Sequence, residues 1–299
     1  MTTASASISS LLAQMSGPRL RALFSQEAHR AAEWVYAIAA EGLPKAQLCY
    51  GRLLLEGTGV PKDAGRALQW FQRAAVSGDI EAINMVGRCF DNGWGTVENP
   101  AAAAVQYERA AEAGDAWAQY NLGHLYLDGR GVARDLGRAF VYYRRAAEQQ
   151  HERAMNLVGR CYEQGWGVAR DAGAAADWYR RSAEGGYFRG QFNWATVLLN
   201  ANRIEEAAIW FECAANGGTV GVRRAVLEAV NRLVQGASRA LPDTGSGAAQ
   251  DRESGAAQDR ESGAAQERES GVSRKTVNRS GVMDSLRELG LRLRAQLAG

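Results

Sequence analysis

Apolar residues recur along most of this chain with a period near 3.6. Ala118, Leu122, Leu125 and Tyr126 fall at i, i+4, i+7 and i+8, one stripe of an amphipathic helix. A polar, glycine-containing break follows. Ala139, Tyr142, Tyr143, Ala146 and Ala147 then form a second stripe, matched earlier in the chain by Ala67, Trp70, Phe71, Ala74 and Ala75. The breaks carry their own chemistry. Gly57, Gly93, Gly129 and Gly165 stand where a first helix ends and a left-handed residue closes it. Asp63, Asn99, Asp135 and Asp171 stand where a second helix begins and a side-chain oxygen caps free amides. Pro100 suits the first helical position, and Gly42, Gly78, Gly114, Gly186 and Gly218 end the second helices.

The pairs repeat every 36 residues. AQLCYGRLLLEGTGVPKDAGRALQWFQRAAVSGD from Ala46 aligns with blocks starting at Ala82, Ala118 and Ala154, and a shortened fifth copy begins at Gly190. A glycine inside each first helix, Gly51, Gly87, Gly123 and Gly159, costs roughly 1 kcal/mol against alanine. It is expected to mark close backbone approach against small alanines of the partner helix. The fifth copy has Ala195 there.

G-x-L-Y-x-x-G-x-G-V-x-x-D-x-x-x-A-x-x-Y-Y-x-x-A-A, from Gly123 to Ala147, resembles the Sel-one-like repeat, a relative of the tetratricopeptide repeat. The resemblance spans roughly Ala31 to Leu233. It implies an all-α fold, a right-handed α-solenoid of antiparallel helix pairs, and an adaptor or scaffold in place of an enzyme. A cysteine-rich branch of that family ties its helix pairs with disulfides. Here Cys89 and Cys161 occupy the slot of Leu53, Leu125 and Val197 without a cysteine opposite them, so reduced, structural thiols are expected.

The ends differ from the middle. Residues 1–26 read as a partly disordered lead segment, and 27–235 as the repeat array with degenerate terminal units. Glu27–Glu41 is the second helix of a leading repeat, and Val222–Val234 a lone helix that caps the other end. Residues 236–282 are low in complexity, with S-G-A-A-Q-[DE]-R-E recurring every eight residues, and read as a linker. Within 283–299 an amphipathic helix aligns Leu286, Leu289, Leu293 and Leu297. Loss of everything after Val234 is expected to leave stability nearly unchanged, unless that leucine face docks on the repeats.

Composition narrows the function. Of 299 residues, 46% are hydrophobic and 23% charged, which suits a folded chain. With 35 basic against 33 acidic residues and no long like-charge run, a nucleic-acid partner is not expected. The scarcity of lysine beside arginine hints at a bacterial source. No secretory leader and no membrane-length apolar run can be read, so a cytoplasmic place is expected. Four cysteines without C-x-x-C spacing and three histidines supply neither a metal nor a redox site. No cofactor and no catalytic constellation is indicated.

Candidate binding residues come from rows beside the core stripe of the first helices. These read Leu48/Arg52/Glu56, Asn84/Arg88/Asn92, Tyr120/His124/Asp128, Asn156/Arg160/Gln164 and Phe192/Thr196/Asn200. Arginine and asparagine there could hold the carboxylates and amides of an extended partner segment on the concave face. The same rows also read as ordinary solvated faces, with Arg52–Glu56 and His124–Asp128 paired at i, i+4. A 72-residue alternation adds Trp94 and Trp166, at a turn position held by Thr58 and Arg130 in the other copies. Such tryptophans serve either binding or packing. The function expected is therefore a non-enzymatic adaptor for another protein's peptide or domain. The alternative is an accessory subunit of an enzyme, envelope or metal-uptake system that uses no such groove.

Overall fold

The computed structural model describes residues 27–236 and 279–298. The lead segment expected over 1–26, and the low-complexity stretch apart from its edges, lie outside the described residues. Thirteen helices and no strand occur among the described residues: α1 (Ala28–Ala40), α2 (Pro44–Glu56), α3 (Ala64–Val76), α4 (Ile80–Asn92), α5 (Pro100–Glu112), α6 (Ala116–Asp128), α7 (Leu136–Glu148), α8 (Glu152–Gln164), α9 (Ala172–Glu184), α10 (Phe188–Asn200), α11 (Ile204–Gly217), α12 (Val220–Gly236) and α13 (Arg279–Ala298). None of them is long and apolar enough to cross a membrane. From α1 to α8, and again from α10 to α13, each helix packs on its neighbour in sequence, as in an all-α repeat solenoid. The chain divides into two compact units between Trp178 and Tyr179, within α9.

In the first unit the turn chemistry is as the sequence dictates. Gly57, Gly93, Gly129 and Gly165 close α2, α4, α6 and α8 in the left-handed conformation, with φ between 66° and 80°. The carboxylates of Asp63, Asp135 and Asp171 and the Asn99 amide oxygen accept from the backbone N–H three residues on, at 2.9–3.0 Å. The second glycine of each G-x-G does a different job. A Cβ on Gly95 would collide with the Ala64 carbonyl, and one on Gly131 with the backbone of Pro100, so each turn presses on the start of the preceding pair's second helix.

Two expectations are corrected here. The intrahelical glycines do not face alanine: an ideal Cβ on Gly51, Gly87 or Gly123 would lie 2.5–2.7 Å from the ring of Phe71, Tyr107 or Tyr143. The missing side chain makes room for a buried aromatic ring. The second correction concerns helix ends. Gly42, Gly78, Gly114 and Gly186 are left-handed as expected, but Gly218 is extended, and Gln150 takes the left-handed place (φ 65°) in the copy that lacks a glycine.

The core of this unit is one continuous cluster from Ala32 to Cys161 that takes in the predicted stripes and also Leu68 and Phe140, except that Tyr142 is only partly buried against it. Cys89 and Cys161 are buried in it, with both thiols pushed up to about 12 by burial, and all four cysteines are free. Cysteines held protonated in this way are poor nucleophiles.

In the second unit Ala195, Leu198, Phe211, Ala214, Val226, Val230 and Leu233 share a second cluster. The expected lone cap is not alone. Leu286, Leu289 and Leu293 of α13 are buried in that same cluster, and α12 touches α13 more extensively than it touches α11. Of the two outcomes left open for the chain after Val234, docking of the leucine face on the repeats is the one observed. Three leucines leave water on docking, each contributing roughly 1.5–3 kcal/mol before ordering costs. Helix also extends further than expected on both sides of the low-complexity stretch, to Gly236 and from Arg279.

Candidate functional site

The rows on α2, α4, α6 and α8 are less open than the sequence suggests. Asn84 and Asn156, at 5% and 3% exposure, are interior residues. The Asn84 side-chain oxygen accepts from Asn121 Nδ2 at 3.2 Å, which ties α4 to α6. Both are therefore corrected from exposed to buried positions, and for Asn84 the bonded amide is what a structural asparagine needs. Gln119 acts alike, donating to the Ala111 carbonyl at 3.1 Å and accepting from Gln149 at 2.8 Å.

Half-buried cations remain at the face. Arg52 pairs with Glu81 on the next first helix, not with Glu56 one turn away. Lys45 joins that group through Asp79 at 3.0 Å and Glu81 at 3.7 Å, and the hydrogen bond to Asp79 raises its pKa. Exposed pairs of this kind hold geometry more than they stabilise. Asn92 donates to the Arg88 carbonyl at 2.9 Å at the end of α4, and Gln164 donates to Glu163 at 3.2 Å at the end of α8.

The arginines and tryptophans, counted separately in the sequence, form joint structures. Arg88 lies over the Trp94 ring at 5.1 Å, and Arg160 over Trp166 at 5.0 Å. Both tryptophans also pack partly buried on the core cluster. The left-handed glycines fold each turn back beside its own helix, and this brings residues six apart into contact. The 72-residue alternation now has a physical content: copies two and four carry the Arg–Trp pair. In copy three Arg130, at the turn position, instead reaches Asp91 near the end of α4 (3.1 Å) and Glu98 in the turn after it (3.0 Å). Burial lowers the Arg88 pKa, and its guanidinium donates to the Met85 thioether at 3.5 Å. Arg88 forms no ion pair within the described residues. Asp91, nearby, is pushed up by burial against the opposing pull of Arg130, and accepts from the Tyr107 hydroxyl at 3.3 Å.

Tyr120 and His124 belong to an aromatic group. The Tyr120 ring stacks on His151 at 4.9 Å and meets His124 at 4.7 Å, and His124 meets Tyr143 at 5.3 Å. Trp117 completes it, edge-on to His151 at 4.3 Å and beneath Arg153 at 5.4 Å. Trp117 and His151 lie outside the rows beside the core stripe. Their signal was the first-turn position occupied by Lys45, Glu81, Trp117 and Arg153 at 36-residue spacing, and a histidine where Asp79 and Asp115 cap other first helices. His151 does cap α8, its Nδ1 accepting from the Ala154 N–H at 3.1 Å.

The arrangement offers cationic planes on aromatic supports, suited to carboxylates and peptide amides. No group of three metal-ligating side chains occurs among the described residues.

The family model described as Sel1 repeat matches residues 44–79, 80–115, 118–151, 152–187 and 199–219. Among solved structures, a Sel1 repeat protein from Oxalobacter formigenes is 30% identical with a TM-score of 0.63, the match covering 71% of this chain and 86% of that one. The c5321 protein, a protective antigen of uropathogenic Escherichia coli strains with an SLR fold, is 26% identical with a TM-score of 0.60 over 73% of this chain. The matched part spans 50% of that antigen's length. No curated protein sequence matches significantly.

Proposed function

This chain belongs to the Sel1 repeat family, whose members generally mediate protein–protein interaction, and from that premise we propose that it is a non-enzymatic adaptor. It holds an extended, carboxylate-bearing segment of another protein along the face formed by α2, α4, α6 and α8. The observation that carries this reading is Arg88: a half-buried guanidinium supported on Trp94, hydrogen-bonded to a thioether and making no ion pair among the described residues. A desolvated cation without an anionic partner is costly in the free protein, and a ligand carboxylate would offset that cost. Arg160 likewise lies over a tryptophan, Trp166, two copies later. Arg52, Tyr120, His124, Asn92 and Gln164 edge the same face, while Asn84 and Asn156 support it from within.

Neighbouring first helices at about 10 Å put the two Arg–Trp pairs roughly 20 Å apart. Six or more extended residues at about 3.3 Å each cross that gap. Selection from a random peptide library on the full-length chain tests the reading. Enrichment of peptides with two acidic positions five to seven residues apart, lost on the Arg88→Ala, Arg160→Ala double variant, is expected. Enrichment of peptides without acidic residues, or equal enrichment on both chains, would overturn it.

A further inference from the structure

The last helix pair is completed from a distance. Elsewhere the short turn 57–63 or its equivalents join the two helices of a pair, whereas residues 237–278 stand between α12 and α13. Even part of that length exceeds the width of a helix pair at about 3.3 Å per residue, so chain connection does not dictate where α13 docks. Its seat is chosen by chemistry. Leu286, Leu289 and Leu293 enter the cluster of Phe211, Val226, Val230 and Leu233. Gly290 faces Val230, where a Cβ would lie 3.4 Å from Cγ1. Arg292 pairs with Glu212 at 2.8 Å and Arg294 donates to Asn231 at 2.7 Å, which fixes the register.

We propose that the face of α11 and α12 is a docking surface for an amphipathic helix with a leucine row and an arginine flank, that α13 fills it in cis, and that a helix of the same chemistry on a partner protein displaces α13. Where its side chains are described, over Leu286–Ala298, α13 buries Leu286, Leu289 and Leu293 and leaves Leu291 64% exposed, so this face has room for a helix with further apolar anchors. The ion pair to Glu212 is also in water. A second copy of this chain is not the occupant the chemistry favours. Its α13 offers the same contacts, while the attached α13 competes at an effective concentration on the order of millimolar. A partner helix with more apolar anchors has the advantage an identical helix lacks. This surface lies on α11 and α12 and stands or falls independently of the arginine face on α2 to α8.

The probe is a fluorescein-labelled peptide of residues 279–298, titrated into the full-length chain and into its Leu286→Asp, Leu289→Asp variant. Binding to the variant at least tenfold tighter than to the unaltered chain is expected, together with loss of hydrogen-exchange protection over 279–298 and retention of it over 27–236. Should the double variant lose the array as well, Glu212→Arg serves in its place: it should admit an Arg292→Glu peptide at least fivefold better than the unaltered peptide. Equal binding to the unaltered and variant chains, or binding to neither, would overturn the proposal. So would unprotected 279–298 amides in the unaltered chain, or a dimer that dissociates when α13 is altered.

Discussion

The Tyr107 ring fills the space where a side chain on Gly87 would stand, 2.7 Å from an ideal Cβ. The same relation joins Gly51 to Phe71 and Gly123 to Tyr143. Helix propensity argues for alanine at these positions by about 1 kcal/mol, and overpacking a buried ring argues against it by about 1–3 kcal/mol. Gly87→Ala should therefore lower the urea midpoint. Gly65→Ala, within α3 and facing only the Asp63 carboxylate at 3.5 Å, should raise it. A stabilising Gly87→Ala would show that the ring is free to move aside.

Backbone contact should be harsher than ring contact. Gly95 (φ 71°) and Gly78 (φ 83°) are both left-handed, but a Cβ on Gly95 would strike the Ala64 backbone while one on Gly78 meets nothing within 4 Å. Gly78→Ala should cost only the conformational strain, about 1 kcal/mol. Gly95→Ala should cost more by a factor of two or greater, because two helix pairs must separate to admit it. Thermal unfolding of both variants compares the two terms directly.

Much of this fold could be read from the chain because its signals are local. The caps of Asp63 and Asn99 and the left-handed Gly57 and Gly93 depend on neighbours three or four residues away, and those neighbours are fixed by the repeat. What faces what across a pair depends on helix rotation, which a 3.6 period specifies only loosely. Alanine was therefore expected where Tyr107 sits, and Asn84 was placed on the surface one residue from the stripe that buries it. The Arg88–Trp94 contact was hidden because six residues is not a helical neighbour spacing until the Gly93 turn reverses the chain. The leucine row of α13 was visible, but its seat lies beyond residues 237–278 and no local rule connects them.

The Arg88–Trp94 pair ties any test of binding to stability. Arg88 is half-buried over the ring, so Arg88→Ala should lower stability by about 0.5–2 kcal/mol before any ligand is considered. A double-mutant cycle with Trp94→Ala should give a coupling of about 0.5–1 kcal/mol. Additive single changes would mean that the contact contributes nothing. Arg88→Lys, which keeps charge but loses the stacked plane, should recover less than half of the effect.

His151 should make the array acid-sensitive. Its Nδ1 lone pair accepts the Ala154 N–H at the start of α8, and burial, with Arg153 and then His124 adding to it, holds its pKa down to about 4 from the ordinary 6.5. The folded-state value lies below the unfolded one, so the neutral ring is the form that folding selects. Its contribution is complete above pH 6.5 and is lost as the pH falls toward 4, a change of roughly 3 kcal/mol from the gap between the two values. Protonation removes the cap and places a cation at a helix N-terminus, both unfavourable. The stacked Tyr120 and edge-on Trp117 leave the ring little access to water. Urea unfolding followed by tryptophan fluorescence from pH 7.5 to pH 4 should show the midpoint falling within that window. His151→Asn supplies a cap that does not titrate and should flatten the fall while leaving the midpoint at pH 7.5 nearly unchanged. An equally steep fall in the Asn variant would show that His151 is not the source of the acid sensitivity, and the buried Asp91 and Asp115, whose pKa values burial raises, would not explain it either, because their protonation favours the folded state.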